Sequence, residues 1–216
     1  MVLLGMEDSF FTLDLISEDW KLVNNLRLKD PMLRINETRI DPEGNIVFTV
    51  MHQEKNKTQN APGFLARLPY DCSTDTRYEV LIENQAIPNG MAWTENGHFY
   101  YIESRFASLS WYGDYNGSKK LGSRTVAAYI SDGWSRDESV ATDCYGDGME
   151  LAYLNDRTVL VIGMQGKGAI HIYDLEKGDL LVEVIAPETN SLTCPCLLYT
   201  SPSPRDQRGS RMPSSA

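Results

Sequence analysis

The chain has 216 residues, enough for one large domain, and 42% of them are hydrophobic. Its formal net charge of −10 argues against nucleic acid or an acidic membrane surface as a partner. No apolar run reaches membrane-spanning length, and the apolar residues 1–6 are too few for a signal-peptide core. Four cysteines without zinc-binding spacing favour reduced thiols in a cytoplasmic protein.

The first predicted elements are two outer strands, at residues 10–15 and 20–23, joined through a polar turn. Their inner partners are expected upstream of the chain, so the first sheet is predicted to be incomplete. No window shows the sustained period of an amphipathic helix, and the 16 Gly and 10 Pro are spread between short strand-like runs. These features predict an all-β protein.

A repeated unit then dominates the chain: a leading polar residue, a turn and a hydrophobic strand. The leading residues are 53 and 58 positions apart. A β-unit that recurs at this period is typical of propeller blades, because each small sheet needs neighbours to cover its faces. The leading residues are Asn36, Asn89 and Asp147; the turns lie at 41–45, 95–97 and 154–157, and the strands at 46–50, 99–102 and 158–162.

Equivalent residues of successive blades lie at the same height around one axis. The repeat therefore predicts that the side chains of Asn36, Asn89 and Asp147 converge in a polar ring around a central channel. The Asn-Gly pair at 89–90 also predicts a tight turn, because both residues tolerate positive φ.

Further strands are predicted at 64–68 and 78–82 in the first complete repeat, and at 169–174 and 180–184 in the third. Residues 197–216 break the pattern, since they are rich in Ser, Pro and Arg without an apolar partner. This segment resembles adapter-derived or out-of-frame translation. We therefore predict a partial propeller over residues 1–196 and a disordered, non-native tail over 197–216.

Three groups of segments resemble one family: 34–37 with 41–45, 89–93 with 100–104, and 147–149. In their order and spacing the chain resembles the senescence marker protein/gluconolactonase/luciferin-regenerating enzyme family, which includes regucalcin. The likeness runs from about residue 10 to Cys196. It implies a six-bladed β-propeller with one divalent cation on its axis, either calcium, zinc, magnesium or manganese. It also implies hydrolysis of a sugar lactone.

The resemblance assigns Asn89 and Asp147 to the cation, and Arg34, Asn36 and Glu54 to the substrate pocket. Asp147 is also the implied base that activates water. An amide oxygen and a carboxylate are hard ligands suited to calcium or magnesium, and zinc accepts oxygen too. The guanidinium of Arg34 can hold sugar hydroxyls or stabilise developing negative charge.

The chain departs from the family pattern in three places. The family's first blade supplies a Glu ligand from a Gly-Glu-x-Pro segment that this sequence lacks, and the closing blade is also missing. Where many members have Asn-Asp-Gly, this chain has Glu37 and Thr38 after Asn36, which alters the pocket rim. We expect an incomplete chain of roughly four blades. Three functions stay open: a lactonase, a non-catalytic calcium-binding regulatory propeller, and an interaction scaffold.

Overall fold

A computed structural model describes residues 1–54, 61–106, 108–112, 124–129, 144–154 and 156–196 of the chain. Within these residues the structure is built from strands, and its helical content is a single 3₁₀ turn at Ser104–Phe106. The strands form four antiparallel sheets. The prediction of an all-β protein is confirmed. The predicted tail, 197–216, lies outside the described residues.

Each sheet is a meander in which the strands pair in chain order. The first sheet has three described strands and the other three sheets have four each. The first contains β1 (Val2–Met6), β2 (Ser9–Leu13) and β3 (Trp20–Asn25); the second contains β4 (Leu33–Ile40), β5 (Ile46–His52), β6 (Gly63–Leu68) and β7 (Glu79–Gln85); the third contains β8 (Pro88–Trp93), β9 (Phe99–Glu103), β10 (Ser108–Tyr112) and β11 (Arg124–Tyr129); the fourth contains β12 (Tyr145–Leu154), β13 (Arg157–Gln165), β14 (Ala169–Asp174) and β15 (Leu180–Ile185).

The sheets follow one another around an axis. The first strand of each sheet contacts the first strand of the next, so that β1 meets β4, β4 meets β8, and β8 meets β12. These four strands are therefore the innermost ones. The arrangement is that of successive propeller blades, with the outer strands β3, β7, β11 and β15 farthest from the axis.

The first sheet differs from the prediction. Residues 10–15 and 20–23 were expected to lack an inner partner within the chain, but β1 pairs with β2 from Val2–Leu13 to Met6–Ser9. That expectation was wrong because an apolar run of only five residues carries no alternation strong enough to mark a strand. Residues 2–6 form a strand because their backbone groups pair with those of β2, which the local sequence pattern does not show.

Three apolar layers hold the sheets together, one between each pair of neighbours. Aromatic rings fill much of the first layer, where Phe10 of β2 meets Phe48 of β5 edge-to-face with ring centroids 5.2 Å apart. In the second layer Val47 and Leu65 pack against Met91 and Tyr101. Each sheet thus buries its faces against its neighbours, which is why the repeat period predicts this fold.

Candidate functional site

The three innermost strands of the complete sheets carry the same irregularity at the same place. Each has a β-bulge in which three steps along the inner strand oppose two steps along its partner. The bulges lie between Ile35 and Thr38 in β4, between Pro88 and Met91 in β8, and between Gly146 and Met149 in β12.

The leading polar residues of the repeat, Asn36, Asn89 and Asp147, all lie inside these bulges. A bulge re-aims the side chain that it carries, and equivalent bulges turn equivalent side chains towards the axis. The turn predicted at 89–90 was wrong. Asn89 and Gly90 belong to strand β8, and Gly90 leaves room for strand β12, since an added Cβ would lie 2.6 Å from the carbonyl oxygen of Asp147.

A chain of hydrogen bonds with a single direction connects the three bulges. Arg34 Nη1 donates to Asn36 Oδ1 (2.8 Å), and Asn36 Nδ2 donates to Asn89 Oδ1 (2.5 Å). Asn89 Nδ2 donates to Ser104 Oγ (2.7 Å), which in turn donates to the carbonyl oxygen of Gly146 (2.5 Å). A guanidinium can only donate and a carbonyl can only accept, so the two ends fix the orientation of both amides between them.

Asp147 follows Gly146 directly, so the hydrogen-bonded chain ends beside it. Its carboxylate is half-buried and receives no hydrogen bond from the residues that the structure describes. Burial raises the pKa of Asp147 from 3.8 to about 6, because the charged form loses its water without gaining a donor. A half-buried carboxylate of this kind is stabilised by a cation.

A second group of charges lies next to the bulges. Arg39 of β4 donates from Nε to Glu37 Oε1 (3.2 Å) and from Nη1 to Glu150 Oε2 (3.1 Å). Its Nη2 donates to the carbonyl oxygen of Met149 at 2.7 Å. Glu37 is the residue after Asn36, and Met149 is the second residue after Asp147. The sequence named Glu37 only as a change in the pocket rim, and it gave no role to Arg39 or Glu150.

The charges of this second group influence one another. The pKa of Glu37 is raised to about 7, chiefly by burial. Arg39 opposes the rise, and the charges of Asp147 and Glu150 contribute to it. Burial alone would lower the pKa of Arg39, but Glu37 and Glu150 outweigh it and raise the pKa overall.

Glu54 is placed differently from the other predicted residues. It is exposed beyond the end of β5, and its backbone N–H donates to Nδ1 of the buried His52 (3.0 Å). His52 Nε2 lies 3.3 Å from Asp30 Oδ2. In the described contacts the Glu54 carboxylate does not join the hydrogen-bonded chain that begins at Arg34.

A cleft of about 1060 Å³ lies at the opposite ends of the inner strands, between the turns of the third and fourth sheets. Trp93 and Tyr153 line it together with Arg157 and Asp174. It contains none of the predicted site residues, since Asn89 and Asp147 lie near the starts of β8 and β12. We therefore place the candidate site at the bulges.

Asn89 and Asp147 fit a hard divalent cation by the type of their oxygen atoms. Ser104 fixes the Asn89 amide so that Oδ1 faces Asn36, and the Asp147 carboxylate lacks a donor among the described residues. They are two ligands rather than a full set. No cluster of three or more His, Cys, Asp and Glu suited to a metal occurs in the part of the chain that the structure describes.

Four antiparallel sheets, with polar bulges on their innermost strands, define the chain as a β-propeller protein. The chain belongs to the SMP-30/gluconolactonase/LRE-like family, whose model matches residues 1–201. The match begins at residue 1, so β1 lies within the family region. No curated protein sequence matches the chain.

Solved structures of other proteins share this fold. Regucalcin from Agrobacterium tumefaciens, described as a calcium-binding protein, superposes with a TM-score of 0.71 and 18% identity over 89% of this chain and 59% of its own. A luciferin-regenerating enzyme superposes with a TM-score of 0.68 and 20% identity over 89% of this chain and 60% of its own. A gluconolactonase from Xanthomonas campestris superposes with a TM-score of 0.58 and 16% identity over 87% of this chain and 57% of its own. The chain thus spans about three fifths of the length of these structures. At such identities the likeness shows the fold.

No helix in the described residues has the length and apolar character needed to cross a membrane.

Proposed function

We propose that this protein is a metal-dependent hydrolase of a sugar lactone. In this proposal Asn89 and Asp147 hold one divalent cation, and Arg34, Asn36 and Glu54 bind the lactone. The single observation that carries the proposal is the half-buried Asp147 carboxylate, which has no described donor and lies at the end of a directed hydrogen-bonded chain. The family and its gluconolactonase member support the substrate class.

The proposed reaction opens the ring of the lactone with one molecule of water. When bound, the cation supplies Lewis-acid polarisation of the lactone carbonyl. Asp147 accepts a proton from the attacking water while the water oxygen forms a bond to the carbonyl carbon. The ring C–O bond then breaks, and Asp147 returns the proton to the ring oxygen, which becomes a hydroxyl group. The product is the open-chain hydroxy acid.

The other residues position the substrate in this scheme. The guanidinium of Arg34 donates from Nη1 to Asn36 Oδ1 and to the carbonyl oxygen of Ile35 (3.0 Å), and from Nη2 to Met51 Sδ (3.2 Å), so the direction of its remaining donors is fixed. Such preorganised donors bind sugar hydroxyls without a further ordering cost. Asn36 links this guanidinium to Asn89, and thereby links the substrate residues to the cation residues.

The test is hydrolysis of a sugar lactone with calcium, zinc or manganese. We expect Asp147→Asn to lower turnover by about a hundredfold or more, the usual scale for loss of a general base. Asp156→Asn is the matched control, because Asp156 lies in the turn at the far end of the same strand pair and Asn tolerates its φ of 62°. Unimpaired turnover of Asp147→Asn would remove Asp147 from the mechanism.

The assay is run on the 216-residue protein and on a version extended to the length of the solved relatives. We expect slow turnover from the 216-residue protein, because Asn89 and Asp147 are only two ligands and only one of them is charged. The affinity for a hard cation rises with the number of charged ligands and with the rigidity of the site. Full activity of the 216-residue protein would contradict this expectation.

A second candidate is calcium binding without turnover, because the regucalcin that superposes best among the three compared structures is described as a calcium-binding protein. Calcium that raises the melting temperature without any lactone hydrolysis by either version favours this candidate. An interaction scaffold, the third possibility, predicts that no cation changes the melting temperature.

A further inference from the structure

We propose that Arg39 is a positioning residue that holds the bulge bearing Asp147 in register with the bulge bearing Asn36. The expected effect of Arg39 on metal binding rests on the proposed function. The contact itself is testable without metal or substrate.

Arg39 joins two sheets that are not neighbours in the order around the axis. Arg39 lies on β4 and its partners Met149 and Glu150 lie on β12, while β8 lies between these strands in the order around the axis. The side chain therefore reaches across the central channel. Arg67–Glu79 at 2.9 Å, by contrast, connects neighbouring strands of one sheet.

All three guanidinium nitrogens are engaged, and each contact lies next to a bulge. Nε contacts Glu37, which is inside the β4 bulge, and Nη2 contacts the backbone of Met149, where the β12 bulge ends. Nη1 contacts the next residue, Glu150. The planar fork of an arginine can satisfy such a set in one orientation only, so it fixes the relative placement of the two strands.

The contacts of Arg39 with Glu37 are partly shielded from water. The Arg39 side chain is 27% exposed and Glu37 only 14%, so removal of the guanidinium leaves a poorly hydrated carboxylate beside Asn36. A lysine in its place retains the charge but cannot make the three contacts at once. These properties separate a positioning role from simple charge balance.

The first experiment follows amide hydrogen exchange in the metal-free 216-residue protein. Arg39→Gln is expected to raise exchange in the peptides covering 33–40 and 145–151. Arg67→Gln is the matched control, because Arg67 is also a mostly buried arginine paired with a glutamate, and it should raise exchange only within the second sheet. Unchanged exchange at 145–151 in Arg39→Gln would overturn the inference.

The second experiment measures the affinity for Mn²⁺ by electron paramagnetic resonance at a temperature at which every variant is folded. Outer-shell substitutions usually cost 10–100-fold in metal affinity, so we expect Arg39→Gln to weaken binding by about tenfold or more, and Arg39→Lys to restore part of it. Arg67→Gln should bind like the unsubstituted protein even if it lowers the melting temperature as much. Equal affinities for Arg39→Gln and Arg67→Gln would contradict the inference.

Failure of the inference and failure of the proposed function are distinguishable. If the unsubstituted protein does not bind Mn²⁺, the proposed function fails and the exchange at 145–151 alone decides the role of Arg39. If it binds Mn²⁺ and Arg39→Gln binds equally well, the inference fails and the proposed function stands. If Arg39→Gln does not fold, Glu150→Gln removes one of the three contacts and is expected to give a smaller effect of the same kind.

Discussion

The pKa of Glu37, next to Asn36 at the axis, depends on its burial and on the charges around it. Among the described residues Glu37 pairs with the cationic Arg39, lies near the charges of Asp147 and Glu150, and is mostly buried. Its pKa of about 7 is therefore a property of the assembled channel. A carboxyl group in the unfolded chain titrates near 4.5. The difference ties the stability of the protein to pH.

We predict that the metal-free protein becomes less stable as the pH rises from about 4.5 to 7. The folded protein binds more protons than the unfolded chain between the ordinary pKa of Glu37, 4.5, and its raised value of about 7, and stability falls with pH wherever this holds. Asp147, whose pKa is raised from 3.8 to about 6, also makes stability fall as the pH rises between these two values. The Glu37 shift corresponds to about 3 kcal/mol at most.

Scanning calorimetry between pH 5.5 and 8 measures this effect. Glu37→Gln should flatten the fall of the melting temperature across this range, because the amide does not titrate. Glu79→Gln, which removes the partner of Arg67 in the second sheet, should keep the slope of the unsubstituted protein. A melting temperature that rises with pH in metal-free buffer would contradict the assignment.

At the scale of elements, the inner strands approach each other closely where the bulges lie. A Cβ atom added to Gly90 would lie 2.6 Å from the carbonyl oxygen of Asp147 and 3.0 Å from the side chains of Ile102 and Met149. The carbonyl belongs to the backbone and cannot rotate away. Glycine at this position therefore allows β8 and β12 to meet.

Gly90→Ala is predicted to destabilise the protein by about 2–3 kcal/mol, the upper part of the range for overpacking, and to displace the Asp147 backbone. Gly44→Ala is the control, because Gly44 lies in the β4–β5 turn at φ 88° with its nearest neighbour 3.7 Å from the added Cβ. It should cost about 1 kcal/mol through strain alone. Urea unfolding measures both costs. If calcium raises the melting temperature of the unsubstituted protein, Gly90→Ala should lose that rise and Gly44→Ala should keep it.

The same elements show what the sequence can and cannot predict. The 53- and 58-residue spacing predicted the sheets and the equivalent positions of Asn36, Asn89 and Asp147, because a repeat places equivalent residues alike. It did not predict the bulges, since Asn-Gly between apolar runs is a strong turn signal, while the close approach of β8 and β12 at Gly90 joins distant parts of the chain. The contact between Arg39 and Glu150 joins residues 111 positions apart, and no local pattern carries such a pairing.

Among the described residues, the last outer strand, β15, carries five exposed large hydrophobic side chains: Leu180, Leu181, Val182, Val184 and Ile185. In the described part of the chain β15 is the edge of the fourth sheet, paired on one side with β14. Val182 is 40% and Val184 48% exposed, and both lie on one face because side chains alternate along a strand. An edge strand with free backbone groups and exposed valines is a site for pairing with another chain.

We therefore predict that the 216-residue protein self-associates through β15 in a concentration-dependent manner. Val184→Lys should shift the equilibrium towards the monomer, because a lysine at an edge strand disfavours pairing with a second strand by desolvation of its charge. Ile40→Lys is the matched control: Ile40 is 52% exposed at the end of β4, and the substitution changes the net charge equally. Sedimentation velocity over a hundredfold range of concentration distinguishes the variants. A protein that stays monomeric throughout, or that responds equally to both substitutions, would show that the exposed face of β15 does not drive association.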